Sequence, residues 1–110
     1  MLIRSQNKAF LLNFSNLSAI YTVKNGDDFI ILSLEGENKC TLGKYSIKVK
    51  TMKVLDMIQE AYADEKLVDY TTYLQQKEIE KMDDSTILAL RNELMKKAVF
   101  QMPEDGSVEV

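Results

Sequence analysis

The spacing of apolar residues changes near residue 46, and that change divides the chain into a strand-forming first part and a helix-forming second part. Residues 1–5 and 9–14 are short apolar runs separated by Asn7-Lys8, which predicts two strands joined by a tight turn. In residues 17–23, Leu17, Ala19, Tyr21 and Val23 recur at every second position and are expected on one face of a strand. Asn25-Gly26 tolerates the positive φ of a hairpin turn. Residues 29–34 are nearly all apolar, so they predict a central strand covered on both faces. Gly36 marks the next turn and residues 39–45 the next strand, which completes an antiparallel meander.

From Ser46, expected as an N-cap, the period lengthens to that of a helix. Met52, Leu55, Ile58 and Tyr62 fall on one side, widened by Ile47, Val54 and Ala61, with Lys53, Asp56, Glu60 and Asp64 opposite. This predicts an amphipathic helix from about Ile47 to Glu65 laid across the sheet. Residues 69–82 read as a second helix on the helix formers Gln75-Gln76-Lys77-Glu78. Asp83-Asp84-Ser85 reads as a stop and a cap, and Ile87, Leu90, Leu94 and Ala98 as the stripe of a third helix. Residues 99–102 predict a last short strand that Pro103 ends. The expected fold class is α+β: an antiparallel four- or five-stranded sheet, one long helix packed on it, a helical insert at about 67–97 and a short C-terminal strand. One domain covers 1–103, and 104–110 is expected as a polar tail.

Length agrees with a single domain, since 110 residues support one modest core. No apolar run reaches the roughly 18 to 20 residues of a membrane helix. The opening residues carry Arg4, Asn7 and Lys8 where a signal peptide is apolar, so the expected location is the cytoplasm. There is no histidine, and Cys40 is the single cysteine, which excludes an internal disulfide and both Ser/His and Cys/His chemistry. The four glycines are not spaced as a nucleotide loop requires. No cofactor and no metal are implied, and the chain is expected not to be an enzyme.

The net charge of −3 is unevenly spread. Residues 1–55 hold eight Lys/Arg against four Asp/Glu, and residues 56–110 hold six against thirteen. An acidic second half argues against wrapping nucleic acid and suits a basic partner surface. The nearest approach to a metal nuclease is Asp27 or Asp28 with Glu37-Asn38-Lys39, but Gly36 puts Glu37 in a turn, where solvated acids are ordinary. Glu78, Glu80, Asp83 and Asp84 read as a solvated helix surface and its cap. Lys44, Lys48, Lys50 and Lys53 gather where the first helix begins, an anion-binding candidate set against the ordinary reading of a wet face. Cys40 reads as a buried, inert thiol.

Tyr62, Tyr70, Tyr73, Met57, Met82 and Met95 include several side chains off the main apolar stripes, and Leu88 and Met95 share a second line on the third helix. A helix apolar on two sides must bury both. Self-association, most simply as a homodimer, and an interface with another protein are the two outcomes.

Four segments resemble a family of small uncharacterised proteins from Gram-positive bacteria, their prophages and mobile elements. They are Met1-Leu2-Ile3-Arg4-Ser5-Gln6-Asn7-Lys8, Leu42-Gly43-Lys44-Tyr45-Ser46, the run from Lys53 to Tyr62 and Val99-Phe100-Gln101-Met102-Pro103-Glu104-Asp105. Val49 stands where relatives tend to have Glu, and residues 67–97 are longer than the usual joining segment. The resemblance implies no function of its own. By analogy with other acidic mobile-element proteins, it points to an inhibitor of a host defence nuclease of the anti-CRISPR type. On that reading Glu78, Glu80, Asp83 and Asp84 would face the partner, with Tyr70, Tyr73, Leu88 and Met95 as apolar anchors. The alternative is a homodimeric structural or regulatory protein.

Overall fold

The computed structural model describes residues 1–74, residue 85 and residues 99–110, with the backbone alone for 67–74. Its architecture is α+β. Six strands are described: β1 (Leu2–Arg4), β2 (Leu11–Asn13), β3 (Ala19–Asn25), β4 (Asp28–Glu35), β5 (Asn38–Tyr45) and β6 (Val99–Gln101). Among the described residues one long helix, α1 (Lys48–Leu74), follows β5.

The strands do not form one sheet. They divide into an antiparallel sheet of order β3-β4-β5 and a mixed sheet of order β2-β1-β6. Local chain geometry explains the division. β3, β4 and β5 are joined by two-residue loops, with Asn25 opposite Asp28 and Glu35 opposite Asn38. Gly26 and Gly36 take the first central position of each loop with φ of 63° and 60°, the glycine-first pattern of a type II′ hairpin turn. Between β2 and β3, by contrast, Phe14–Asn16 form a 3-10 turn in which the Asn13 side chain accepts from Ser15 N–H. That turn breaks the ladder. The partner that completes the second sheet is β6, parallel to β1 with Leu2 opposite Val99.

The loop from β1 to β2 closes on Ser5, which is 1% exposed. Its N–H bonds Phe10 O at 2.9 Å, its hydroxyl donates to Asn7 Oδ1 at 2.6 Å and accepts from Phe10 N–H, and Lys8 takes φ of 64°.

The core lies between the sheets and α1, where Ile3, Ile31, Leu42, Tyr45, Val54, Ile58, Met102 and Val108 are all buried. Two expectations about faces are corrected. On α1 the inward line is Thr51, Val54 and Ile58, with Leu55, Ala61 and Tyr62 half-buried, whereas Met52 is 48% exposed and Ile47 42%. Thr51 can be buried because its hydroxyl donates to Lys48 O at 2.6 Å. On β3 Ala19, Tyr21 and Val23 share one face as expected, and it is the outer one: Ile20, opposite the buried Ser33, packs on the core, as does Leu17 ahead of the strand. β4 is the central strand of its sheet but is fully buried on one side only, at Ile31 and Ser33.

β5 carries a bulge: Ile31 pairs with Gly43 and Leu32 with Thr41, which leaves Leu42 as the extra residue. Leu42 turns its side chain into the core, and its carbonyl accepts from Gln6 N–H at 2.7 Å, joining the two sheets. Where the chain was expected to end in a polar tail, Val108 is 5% exposed and part of the core. The Met1 amino nitrogen lies 2.9 Å from Glu65 Oε1, while Glu65 Oε2 is buried without a partner.

The helix expected to end near Glu65 continues to Leu74, into the region read as a separate second helix. The rest of the expected insert falls outside the described residues apart from Ser85, which is helical and exposed. None of the described helices is long and apolar enough to cross a membrane.

Candidate functional site

Of the four lysines expected around the start of α1, two, Lys50 and Lys53, hold the chain's own C-terminal segment. Asp105 Oδ1 accepts from Ser46 N–H at 2.8 Å and from the Ser46 hydroxyl at 3.0 Å. Lys50 Nζ donates to Asp105 O at 2.8 Å and lies 3.5 Å from the Asp105 carboxylate. Lys53 Nζ donates to Glu109 O. Lys44 pairs instead with Asp28 at 3.1 Å, and Lys48 is exposed. Ser46, expected to cap the helix by accepting a bond, is a donor to a carboxylate 59 residues away. The anion at this helix start is therefore Asp105. The backbone N–H of Ser46, then its hydroxyl and Lys50, hold the Asp105 carboxyl below its usual range despite some desolvation.

A second set of bonds secures the same C-terminal segment. Gln6 Oε1 accepts from Lys44 N–H at 2.9 Å, and Gln6 Nε2 donates to Lys44 O at 3.2 Å and to Pro103 O at 3.1 Å. The Tyr45 hydroxyl donates to Pro103 O at 2.7 Å, Gln101 Nε2 to Ser5 O at 3.0 Å, and Met102 N–H to Arg4 O at 3.0 Å. Burial, reinforced by the charges of Glu104 and Asp105, pushes the Tyr45 phenol well above its usual value. Sequence reasoning missed Gln6 and Asp105. Each of the four segments singled out in the sequence supplies a residue to this clasp: Gln6, Lys44, Lys53 and Pro103.

The acidic residues weighed as a nuclease centre are not brought together. Asp27 and Asp28 lie at one end of β4 and Glu37 at the other, which an eight-residue strand separates by roughly 26 Å. Among the described residues no group of three or more His, Cys, Asp or Glu could hold a metal. Cys40 is half-buried rather than fully buried, in an open cleft of ≈ 560 Å³ between the loop after β1 and β5.

A second open groove, of ≈ 420 Å³, runs between β3 and α1 and is apolar, lined by Phe14, Leu17, Ile20, Leu55, Ile58 and Tyr62. The rings of Phe14 and Tyr62 meet there at 4.8 Å with a 33° tilt, and Lys66 Nζ stands 5.5 Å from the Tyr62 ring. On the opposite, outward side of α1, Asp56, Glu60 and Asp64 are exposed at four-residue spacing, beside Met52 at 48% and Met57 at 36%. Tyr70 and Tyr73 lie on the last turns of α1, of which the backbone is described. Glu78, Glu80, Asp83, Asp84, Leu88 and Met95, expected to face a partner, lie outside the described residues.

Comparison with protein-family models, with curated proteins and with solved structures finds no match to this chain.

Proposed function

We propose that this chain is a non-enzymatic protein-binding protein whose acidic helix surface occupies a basic surface on a larger protein. The observation that carries the reading is the outward face of α1, where Asp56, Glu60 and Asp64 form one exposed acidic line flanked by Met52 and Met57. Carboxylates with flexible apolar neighbours suit a basic, partly apolar partner. Three of the four lysines that would have favoured a nucleic-acid or phosphate ligand are engaged internally, since Lys50 and Lys53 hold the C-terminal segment and Lys44 pairs with Asp28.

The partner class we propose is a nucleic-acid-binding nuclease of host defence, of the CRISPR effector type, in a protein encoded by a phage or mobile element. Such enzymes hold guide and target in positively charged channels, for which an acidic surface competes. Glu78, Glu80, Asp83 and Asp84 extend the acidic character along the chain in this reading, with Tyr70, Tyr73, Leu88 and Met95 as anchors. The test is affinity capture of the tagged protein from its host, alongside two charge-reversed forms. One carries Asp56, Glu60 and Asp64 to Lys, and the other Glu78, Glu80, Asp83 and Asp84 to Lys. Enrichment of a defence nuclease that both reversals remove supports the proposal. Capture of the same complex by both reversed forms, or no nuclease at all, sinks it.

A further inference from the structure

The two edges of the antiparallel sheet are treated differently. On β5 the outer edge is closed by the chain's own Gln6, which bonds Leu42 O through its backbone and both backbone groups of Lys44 through its side chain. Lys39 and Lys44 add charge along the same strand. Among the described residues no such closure covers β3, and its one charge, Lys24, stands near its end. Among the described residues it has β4 as its one neighbour, and its first five positions, Ala19 to Val23, hold no charge and no proline. An edge of that length and composition is one that natural sheets ordinarily shield.

The direction of the free groups follows from the turn. Asn25 and Asp28 flank a two-residue loop; the pair that flanks such a loop exchanges both bonds, so alternation turns the N–H and C=O of Ile20, Thr22 and Lys24 away from β4. These three positions are symmetric about Thr22. An antiparallel copy of β3 centred there pairs Thr22 with Thr22 and Ile20 with Lys24, so every outward group meets one that is also directed outward. The register places Tyr21 opposite Val23 on the outer face, an aromatic and β-branched pair, and brings no like charges together. It also extends apolar rows that already cross the sheet, since Tyr21 pairs with Leu32 and Val23 with Ile30.

We propose that β3 is the self-association surface of this protein, and that two copies join across a two-fold axis at Thr22 into one six-stranded antiparallel sheet. The partner is a second copy of this chain, and the inference does not rest on the acidic face of α1.

Sedimentation of the whole chain at about 100 µM tests it. The expected result is a dimer that Thr22→Pro weakens by about ten- to hundredfold, because the proline removes one edge donor per copy while leaving the β4 ladder intact. Circular dichroism of Thr22→Pro should match the parent. Should that variant misfold, a second measurement remains: Tyr21→Cys and Val23→Cys, each in a Cys40→Ser background, should form a disulfide when mixed and not when oxidised alone. Facing residues of an antiparallel pair lie within disulfide reach, whereas like positions on the two copies do not. A monomeric parent, a dimer indifferent to Thr22→Pro, or no cross-link in the mixture would overturn the proposal. Loss of nuclease capture with the dimer intact would leave it standing and remove only the functional reading.

Discussion

The ring of Tyr45 lies over Gly43, so that a Cβ built on the glycine would stand 3.0 Å from both Tyr45 Cε2 and its hydroxyl oxygen. Two positions apart on one strand, the residues share a face, and the ring covers what a side chain would otherwise fill. Gly43→Ala should cost about 1–3 kcal/mol, the usual range for overpacking a tight site. Thermal unfolding checks it, and a double-mutant cycle identifies the cause: in a Tyr45→Ala background the same change should cost much less.

Tyr45→Phe removes a donor to Pro103 O but leaves that carbonyl with Gln6 Nε2, so the expected loss is about 0.5–1.5 kcal/mol rather than the larger penalty of an orphaned acceptor. The pH dependence has a definite sign. The phenol is raised in the folded state, so its contribution is complete below the ordinary tyrosine value near about 10 and is lost as pH rises beyond it. Alkaline unfolding curves of Tyr45→Phe should therefore be flatter than those of the parent, and equal slopes would count against the assignment.

Asp105→Asn should lower the melting temperature at neutral pH. Because the folded carboxyl titrates below its usual range, the parent's advantage is present above about pH 4 and declines as acid protonates Asp105. Melting curves of the two proteins should converge in strong acid. A constant difference at every pH would show that Asp105 acts through its shape and not its charge.

Met102 is 1% exposed although it follows the last described strand, so Met102→Ala should cost about 2–5 kcal/mol as a core truncation. Val49, 59% exposed on the first turn of α1, is the contrast, and Val49→Ala should stay within about 0.5 kcal/mol. Urea unfolding monitored by circular dichroism separates the two cases.

What the sequence discloses depends on how local each feature is. The hairpins at Gly26 and Gly36, β4 between its neighbours, and a long helix after β5 all follow from turn chemistry and periodicity within short windows. The face of β3 does not, because an edge strand with Ala19 and Val23 exposed and Ile20, Tyr21 and Thr22 half-buried has no strongly apolar side to read. Thr51 was passed over for Met52 because a helical pattern scores a hydroxyl as polar, while its bond to Lys48 O allows burial. The division into two sheets and the clasp on Asp105 depend on contacts that span most of the chain. Periodicity carries no information at that range.

The parallel pairing of β1 with β6 joins Leu2 to Val99. The β3-β4-β5 hairpins and the turns of α1 are local and can form early, whereas this ladder must wait for a loop of nearly the whole chain to close. Folding should therefore have a late, slower step in which residues 99–109 dock and Tyr45, Ser46 and Lys50 gain their bonds together. Before that step the start of α1 lacks its carboxylate and one edge of β1 its neighbour. A kinetic experiment should then show mutations in the hairpins changing the folding rate, while Asp105→Asn and Met102→Ala chiefly accelerate unfolding.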